Sequence, residues 1–521
     1  MPAVHFSYAH SPASLSRRRG EGEIPHFVRN DAMLAVPIYL YNTLARSKEV
    51  FTPLRKGRAG FYACGPTVYD YAHIGNLRTY LFEDILRRVL TYNGYKVKHA
   101  MNITDVGHLV GDGDEGEDKL EVGAKREGKS PLAIAKFYTN KFFQDTDKLN
   151  ILRPSKVLPA TQTIKEQIKI IKILEQKGFT YRGEQAIYFD TSKPENYDKL
   201  SGQKLSDKLS GARQEIVLDK DKKHPTDFAL WFFLTGRYKN HILRWPSPWG
   251  KGFPGWHIEC SAISRQILGQ PFDIHSGGVD HIGTHHTNEI AQSEAAFGAP
   301  LARYWMHGEF MLVDNSKMSK SLGNFITLDK ISAKFNPLAF RYLTLTAHYR
   351  SQLNLTWESL AGAQSALNNL YQQTRQLLQK TNPFWPLFKF LYALGLANKK
   401  TATTLKTATA YAEKFRERVN DDLDMPGAIA ITWQMLADES LPAAAKKELL
   451  LKFDRVLGLD LSQIKPVVVP ARVKNLAQER EMARQNKDWA KADQLRAQIT
   501  KEGWLVEDTP AGPKITPKNE P

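Results

Sequence analysis

The chain has 521 residues, 42% hydrophobic and 11% aromatic, which is enough apolar material for roughly two to four packed domains and excludes a disordered polypeptide. Its formal net charge of +17 suits a polyanionic partner such as nucleic acid, and a cysteine count of 2, Cys64 and Cys260, excludes a disulfide scaffold. No apolar run reaches the ~18 residues needed to span a bilayer. The nearest, Phe384–Ala397, is interrupted by Lys389 and reads as a short buried helix.

Residues 1–34 are rich in Ser, Arg, Pro and Gly, include Arg17-Arg18-Arg19, and lack a continuous apolar core. They read as a disordered or spurious N-terminal extension, with Met33 near the real beginning. From Val36 strand-like and helical segments alternate: Ile38–Asn42, Gly60–Cys64, a helix with Leu77, Leu81, Ile85, Leu86 and Val89 on one face, then Lys96–Ile103. Strands separated by a helix of this length predict a βαβ unit and a parallel sheet. Asp112–Lys129 reads as an exposed loop running into a helix. Ile164–Gln176 reads as an amphipathic helix stopped at Gly178, and Gln185–Asp190 as a strand.

The polar, Lys- and Asp-rich stretch Ser192–His224 reads as a surface insertion. A strand at Phe228–Leu234, a helix over Ile258–Leu268, a strand at Phe272–His275 and a turn at Ser276-Gly277-Gly278 follow. Two halves of one sheet, interrupted by an insertion, account for this order. Beyond Phe325 the periodicity is helical, with segments at Leu338–Ala347, Trp357–Gln379, Leu405–Arg418, Pro426–Ala437 and Lys446–Leu457 that predict a bundle. Pro466–Pro470 reads as a linker, and Asn475–Thr500 as one charged helix before a small terminal segment.

Three constellations carry chemistry. In FYACGPTVYDYAHIGNLRTY, a strand turns through Gly65-Pro66 into a helix start, where unpaired N–H groups and the positive dipole end favour an anion. His73 and Asn76 lie three apart there, and Gly75 between them leaves room for a base or phosphate to approach the backbone. In DIHSGGVDHIGTHHTNEIAQSEAAFG, His285 and Glu289 are four apart on one helical face. With the two lone thiols they make a tetrahedral zinc set, for which His257, His275, His281 and His286 are competing ligands. In KMSKS, Lys317 and Lys320 sit three apart in a Gly-, Ser- and Asn-bounded loop that can reach onto a polyphosphate.

HIGN at the head of a βα unit, followed downstream by KMSKS, is a specific ordered pair. With it, the blocks NITDVGHL, DEGEDKLE, PSPWGKGFPGWHIECSAIS, KMSKSLGNF and KDWAKADQLR…EDTPAG make the chain resemble the class I aminoacyl-tRNA synthetases, and within them the cysteinyl-tRNA synthetase family, from about Ile38 to Lys514. The resemblance implies an α/β fold: a Rossmann-type parallel-sheet catalytic domain in two halves (35–140 and 225–325) around a connective insertion (141–224). A helical tRNA-stem domain (326–465) and an anticodon-binding module (470–521) would follow. It implies His73, Asn76, Lys317 and Lys320 as catalytic residues, and Gly75, Gly278 and Asp280, with His73, Asn76 and Lys320, around ATP. Thr104, Trp256 and His275 would surround the substrate cysteine. Cys64, Cys260, His285 and Glu289 would hold one Zn2+, and Arg484, Trp489 and Asp508 would contact the anticodon. Two departures are Asn76, where class I commonly has His, and Thr287, where the family usually has Glu.

The activity so implied is ligation of L-cysteine to tRNA(Cys) through a cysteinyl-adenylate, with ATP and Mg2+, by a cytoplasmic monomer. Zinc would take the substrate thiolate, a bond serine cannot imitate near neutral pH. The alternatives are a paralogue joining cysteine to an amino sugar, which has no need of the basic helical tail, and a silent zinc-stabilised RNA-binding protein, which has no need of paired phosphate-binding lysines.

Overall fold

The computed structural model describes residues 36–109, 116–202, 221–318, 323–380, 384–466, 469–509 and 512–518. A hairpin of β1 (Tyr39–Asn42) and β2 (Ser47–Val50) precedes β3 (Arg58–Ala63). The helix α1 (Ile74–Tyr92) buries Leu77, Leu81, Ile85 and Val89 and leads into β4 (Lys96–Ile103). Next come α2 (Lys119–Glu127), N-capped by Asp118, α3 (Pro131–Lys148), N-capped by Ser130, and β5 (Lys156–Pro159). The middle of the chain supplies α4 (Ile164–Gln176), β6 (Thr180–Arg182), β7 (Ala186–Phe189), β8 (Phe228–Phe233) and β9 (Gly252–Pro254). It then returns through α5 (Trp256–Leu268), β10 (Phe272–Gly278), α6 (His285–Phe297) and β11 (Ala302–Gly308).

The central sheet has the order β11-β10-β3-β4-β5 and is parallel throughout. It is the interrupted sheet expected from the sequence. From β3 the chain builds outward through β4 and β5, then jumps back to lay β10 and β11 on the other side. The crevice between the carboxyl ends of β3 and β10 is therefore the topological switch point, where such sheets bind ligands. The strands that follow the switch obey residue type: β10 carries FDIHSGG and is buried on both faces, as a central parallel strand must be.

Several sequence expectations are corrected. β1 pairs antiparallel with β2 outside the parallel sheet, and its end docks on β11 through Thr43 N donating to Trp305 O at 2.8 Å. Ser276-Gly277-Gly278 is not a turn: it finishes β10, in register with Met306, His307 and Gly308 of β11. The insertion is bounded differently by its hydrogen bonds. β5 lies within 141–224 yet pairs with β4, whereas β8 and β9 lie beyond 224 and complete the antiparallel sheet β6-β7-β8-β9. Strand pairing overrides a boundary drawn where polarity changes. Residues 203–220, much of the expected surface insertion, lie outside the described set, as do 1–35 and the acidic 110–115.

Beyond β11, a small sheet of β12 (Met311–Val313), β13 (Ser316–Lys317) and, after α7 (Leu328–Ser332) and α8 (Pro337–Leu345), β14 (Leu353–Leu355) carries the second signature. The bundle is α9 (Trp357–Gln379), α10 (Trp385–Ala393), α11 (Lys399–Asn420), α12 (Met425–Ala437) and α13 (Ala443–Leu457). α10 is not the buried helix expected. Only Trp385 of it is buried, and Phe390 is 59% exposed, because a helix apolar on every side can turn one face alone to the bundle. The charged tail is two helices, α14 (Ala471–Gln485) and α15 (Trp489–Lys501), before a hairpin of β15 (Trp504–Thr509) and β16 (Gly512–Pro517). Lys487 at φ 59° breaks the helix, and Asp488 recaps it by accepting from Lys491 N at 3.1 Å. Among the described residues no helix is long and apolar enough to cross a membrane.

A buried charge network ties bundle to sheet domain. Arg341 on α8, fully buried, donates to Asp84 of α1 at 2.6 Å, to Leu457 O at 2.7 Å and to Leu149 O at 3.0 Å. Arg88 gives Asp84 a second partner at 2.7 Å. Replacing Arg341 by Met leaves a buried carboxylate half-compensated and takes the donor from the carbonyls of Leu457 and Leu149. We expect a loss of about 3–5 kcal/mol, read as a lower urea midpoint.

Candidate active site and metal centre

The cleft at the switch point encloses about 270 Å³. Its lining includes Cys64, Thr67, His73, Asn76, Thr104, Trp256, Gly278, Asp280 and His285. Cys64 continues β3, and its N–H donates to Ser276 O of β10 at 3.3 Å, so the two strands on either side of the switch are sewn together at the thiol. Gly65 follows because nothing larger fits: a Cβ there would collide with the carbonyl oxygen of Asn102. Gly65 N then donates to Asn102 Oδ1 at 2.7 Å.

At one end of the cleft, α1 is capped reciprocally. His73 Nδ1 accepts from Asn76 N and Asn76 Oδ1 accepts from His73 N, both at 3.2 Å. This is a capping box built from an imidazole and an amide. Because Nδ1 accepts, the neutral ring carries its proton on Nε2. Asn76, its oxygen engaged, keeps its NH2 as a donor toward the cleft it lines. Asn76 thus completes the cap and retains a donor.

The second signature is fixed to this cap. His73 bridges Thr327, Ile74 N donates to Ile326 O at 3.0 Å, and the Phe325 ring stands edge-on to His73 at 5.3 Å. On the other side of the loop, Lys317 ends the β12–β13 hairpin, whose turn holds Asp314 and Asn315 at positive φ. The root of that hairpin is clamped by buried Arg78 of α1, which donates to the carbonyls of Glu309, Phe310, His348 and Ser351. Lys317 itself is exposed and does not line the cleft. Lys320 lies outside the described residues.

At the other end, Cys64, Cys260, His285 and Glu289 come together fully buried, with ligand atoms within 4.8 Å of one another. A second set, Cys64, His275, His286 and Glu289, meets the same limit and shares two members. Glu289 is the hub: His285 Nε2 and His275 Nε2 each contact one of its oxygens at 3.0 Å. Burial alone would push its carboxyl up, but the two imidazoles bring it down to about 2. Burial likewise opposes charge on His285, yet Glu289 and Cys260 raise it to about 10. Against burial, hydrogen bonds from Cys64 and His285 lower Cys260 to about 6, while burial and the neighbouring Cys260 hold Cys64 well above its usual value. Two thiols, an imidazole and a carboxylate in one dry cluster fit a zinc ion, and the set containing both thiols is the softer.

His275 does not line the cleft. It is buried behind Glu289, with its ring stacked on Trp305 at 4.5 Å, and supports the cluster from beneath. Thr104 lines the cleft while donating to Glu259, and Trp256 stacks on His285 at 4.2 Å. Gly75 is not among the lining residues, and a Cβ there would crowd His73 Nδ1. Residues missed from the sequence include Asn102, His108 and Lys119, which also line the cleft and lie in the blocks NITDVGHL and DEGEDKLE.

In the C-terminal module, Arg484 pairs with Asp508 at 2.7 Å and lies over the Trp489 ring at 5.7 Å. Arg480, not anticipated, holds the same Asp508 with two bonds of 2.7 and 3.0 Å. Trp489 is 58% exposed, so it is not the core of this small module.

The fold and the paired HIGN and KMSKS signatures define a class I aminoacyl-tRNA synthetase. The family model described as the tRNA synthetases class I (C) catalytic domain matches residues 50–365, and the cysteinyl-tRNA ligase anticodon binding domain matches 468–512. The chain is 48% identical over 484 residues to cysteine–tRNA ligase 1 of Burkholderia lata, covering 92% of this chain and 97% of that one. It is 43% identical over 481 residues to the cysteine–tRNA ligase of Treponema denticola, covering 90% and 97%. The chain belongs to the cysteine–tRNA ligase family, and it is an enzyme of class I. Among solved structures, Mycobacterium tuberculosis methionyl-tRNA synthetase with methionyl-adenylate is similar in fold, with a TM-score of 0.55 at 14% identity over 78% of this chain and 93% of that one. The Agrobacterium radiobacter LeuRS ternary complex gives 0.53 at 12% identity over 80% and 85%.

Since Trp489 is only partly covered, Trp489→Ala is expected to cost the module about 1 kcal/mol in thermal unfolding. A buried tryptophan would cost several times that.

Proposed function

We propose that the chain charges tRNA(Cys) with L-cysteine in two steps within this cleft. The cysteine carboxylate attacks the α-phosphorus of Mg2+-bound ATP, giving cysteinyl-adenylate and pyrophosphate. A hydroxyl of the tRNA terminal ribose then attacks the carbonyl carbon, gives up its proton, and displaces AMP. The observation carrying this reading is that β3, its turn and α1 place a thiol-rich cluster at one end of the cleft and a donor-rich helix N-terminus at the other.

The first step needs alignment and charge stabilisation more than a base. His73 Nε2–H, the Asn76 amide and the α1 dipole receive phosphate oxygens, and Lys317 and Lys320 of the KMSKS signature supply positive charge to the polyphosphate. Asp280, beside Gly278 at the carboxyl end of β10, meets the ribose. Thr104 and Trp256 wall the amino acid, and His275 acts through Glu289. Cys64, Cys260, His285 and Glu289 would hold Zn2+, which when bound supplies a soft Lewis acid that prefers a thiolate to a hydroxyl. An apolar pocket rejects a hydroxyl-bearing isostere by only about a hundredfold, so shape alone is a weak filter against serine.

Residues 326–465 take the tRNA stem and 470–521 the anticodon, consistent with the family model matched at 468–512 and with the excess of basic residues. Exposed Trp489 stacks on an unpaired base, while Arg484 and Asp508 read edges, the usual mode for single-stranded RNA.

Cysteine-dependent ATP–pyrophosphate exchange, with and without a zinc chelator, followed by charging of tRNA(Cys), tests the whole scheme. Both activities are expected, with loss on chelation. Exchange without charging would favour an amino-sugar ligase. His73→Ala is expected to lower kcat for exchange by about 10²–10³-fold. Cys260→Ala is expected to lower bound zinc, measured by metal analysis, and to reduce cysteine-over-serine selectivity to about a hundredfold or less. Unchanged selectivity would sink the metal-selection idea.

A further inference from the structure

Lys119 lines the cleft, and no step above uses it. It is the first residue of α2, directly after the cap Asp118, whose carboxylate accepts from Leu120 N at 2.8 Å. A cation at that end of a helix faces the positive end of the dipole, the unfavourable place for it. Its ammonium contacts His108 Nε2 at 2.6 Å. An ammonium has only protons to give, so Nε2 accepts, and His108 carries its own proton on Nδ1. That proton is donated to Thr67 Oγ1 at 2.6 Å. The Thr67 oxygen therefore receives, and its O–H is left to donate. Burial and the Lys119 charge both keep His108 neutral, which suits this arrangement.

The position of this chain of donors is set by aromatic stacking. His108 lies flat on Trp256, with centroids 4.0 Å apart and planes 9° apart, and Trp256 in turn stacks on the cluster residue His285 at 4.2 Å. Thr67, Lys119 and Trp256 all line the same cleft as Cys64. A cationic donor and a hydroxyl donor are thus held on the cleft wall, one indole away from the thiol-binding cluster. In free cysteine the thiol and the carboxylate are separated by on the order of 4 Å. An amino acid anchored by its thiol at the cluster brings its carboxylate to this wall.

We propose that Lys119 and Thr67, aligned by His108, receive the α-carboxylate of the substrate amino acid. This rests on the ligase reading above and adds the group that orients the nucleophile. Lys119 makes a charge-assisted bond to one carboxylate oxygen, which leaves the other to attack phosphorus. His108 is a positioning residue, because it touches both donors and acts through them. Phosphate is the weaker candidate ligand here, since the α1 cap already supplies the anion-binding end of the cleft.

The test uses the full-length, zinc-loaded enzyme and compares L-cysteine with cysteamine, which keeps the thiol and amine and lacks the carboxylate. Lys119→Met is expected to raise the KM for L-cysteine in exchange by about tenfold or more. The inhibition constant of cysteamine and the KM for ATP should stay within about twofold of wild type. Lys119→Arg, which keeps the charge, should recover part of the cysteine affinity and guards against a folding defect in the Met variant. Equal weakening of cysteine and cysteamine overturns the proposal, as does a rise confined to the KM for ATP. A wild-type enzyme without cysteine-dependent exchange overturns the ligase reading itself, and this proposal with it.

Discussion

The carboxylate of Glu289 is the charge on which the catalytic core depends. It is fully buried, and a buried carboxylate without partners is costly by several kcal/mol. Its partners come from β10 through His275 and from its own helix through His285, with Cys64, just past the end of β3, beside it. Satisfying one side chain therefore fixes α6 against both strands of the topological switch point. The thiols answer mainly to burial and to each other: burial and Cys260 raise Cys64, while Cys64 and His285 lower Cys260 against burial. Stability and ligand chemistry here are one arrangement.

A comparable economy runs along α1. Its first turn caps itself with His73 and Asn76, and Arg78, two residues further on, clamps the root of the hairpin that carries Lys317. Farther along, Asp84 and Arg88 join the bundle through Arg341. One helix is thus in contact with the nucleotide end of the cleft, with the base of the lysine loop and with the domain that leads toward the C-terminal module.

Much of this was legible from residues alone. The helices over 164–176 and 357–379 form with the bounds their periodicity predicts, and the strand expected at Gly60–Cys64 forms as Arg58–Ala63 ahead of a helix that starts at Ile74. What local pattern missed has a physical cause in each instance. Gly277 and Gly278 look like a turn, but β11 offers them a ladder, and pairing wins. The 475–500 stretch looks like one helix because charge is continuous, although Asp488 competes as a fresh cap. Phe384–Ala397 looks buried by composition, but burial is decided by how much neighbouring surface is available.

By itself the sequence determined which chemical groups the protein owns and their order: two thiols, an imidazole and a carboxylate at helical spacing, a helix N-terminus opened by His and Asn, and two lysines three residues apart. Those are properties of local spacing, so they survive without coordinates. Only the tertiary structure decided which of the buried histidines serves which partner. Cys64 lies 222 residues from His286 and 225 from Glu289, and the contact exists because two parallel strands run side by side. It also decided that His108 would stand between Lys119 and Thr67, since no periodicity links a strand end, a loop and a helix start. Hydrogen bonds and ring stacking across the cleft do.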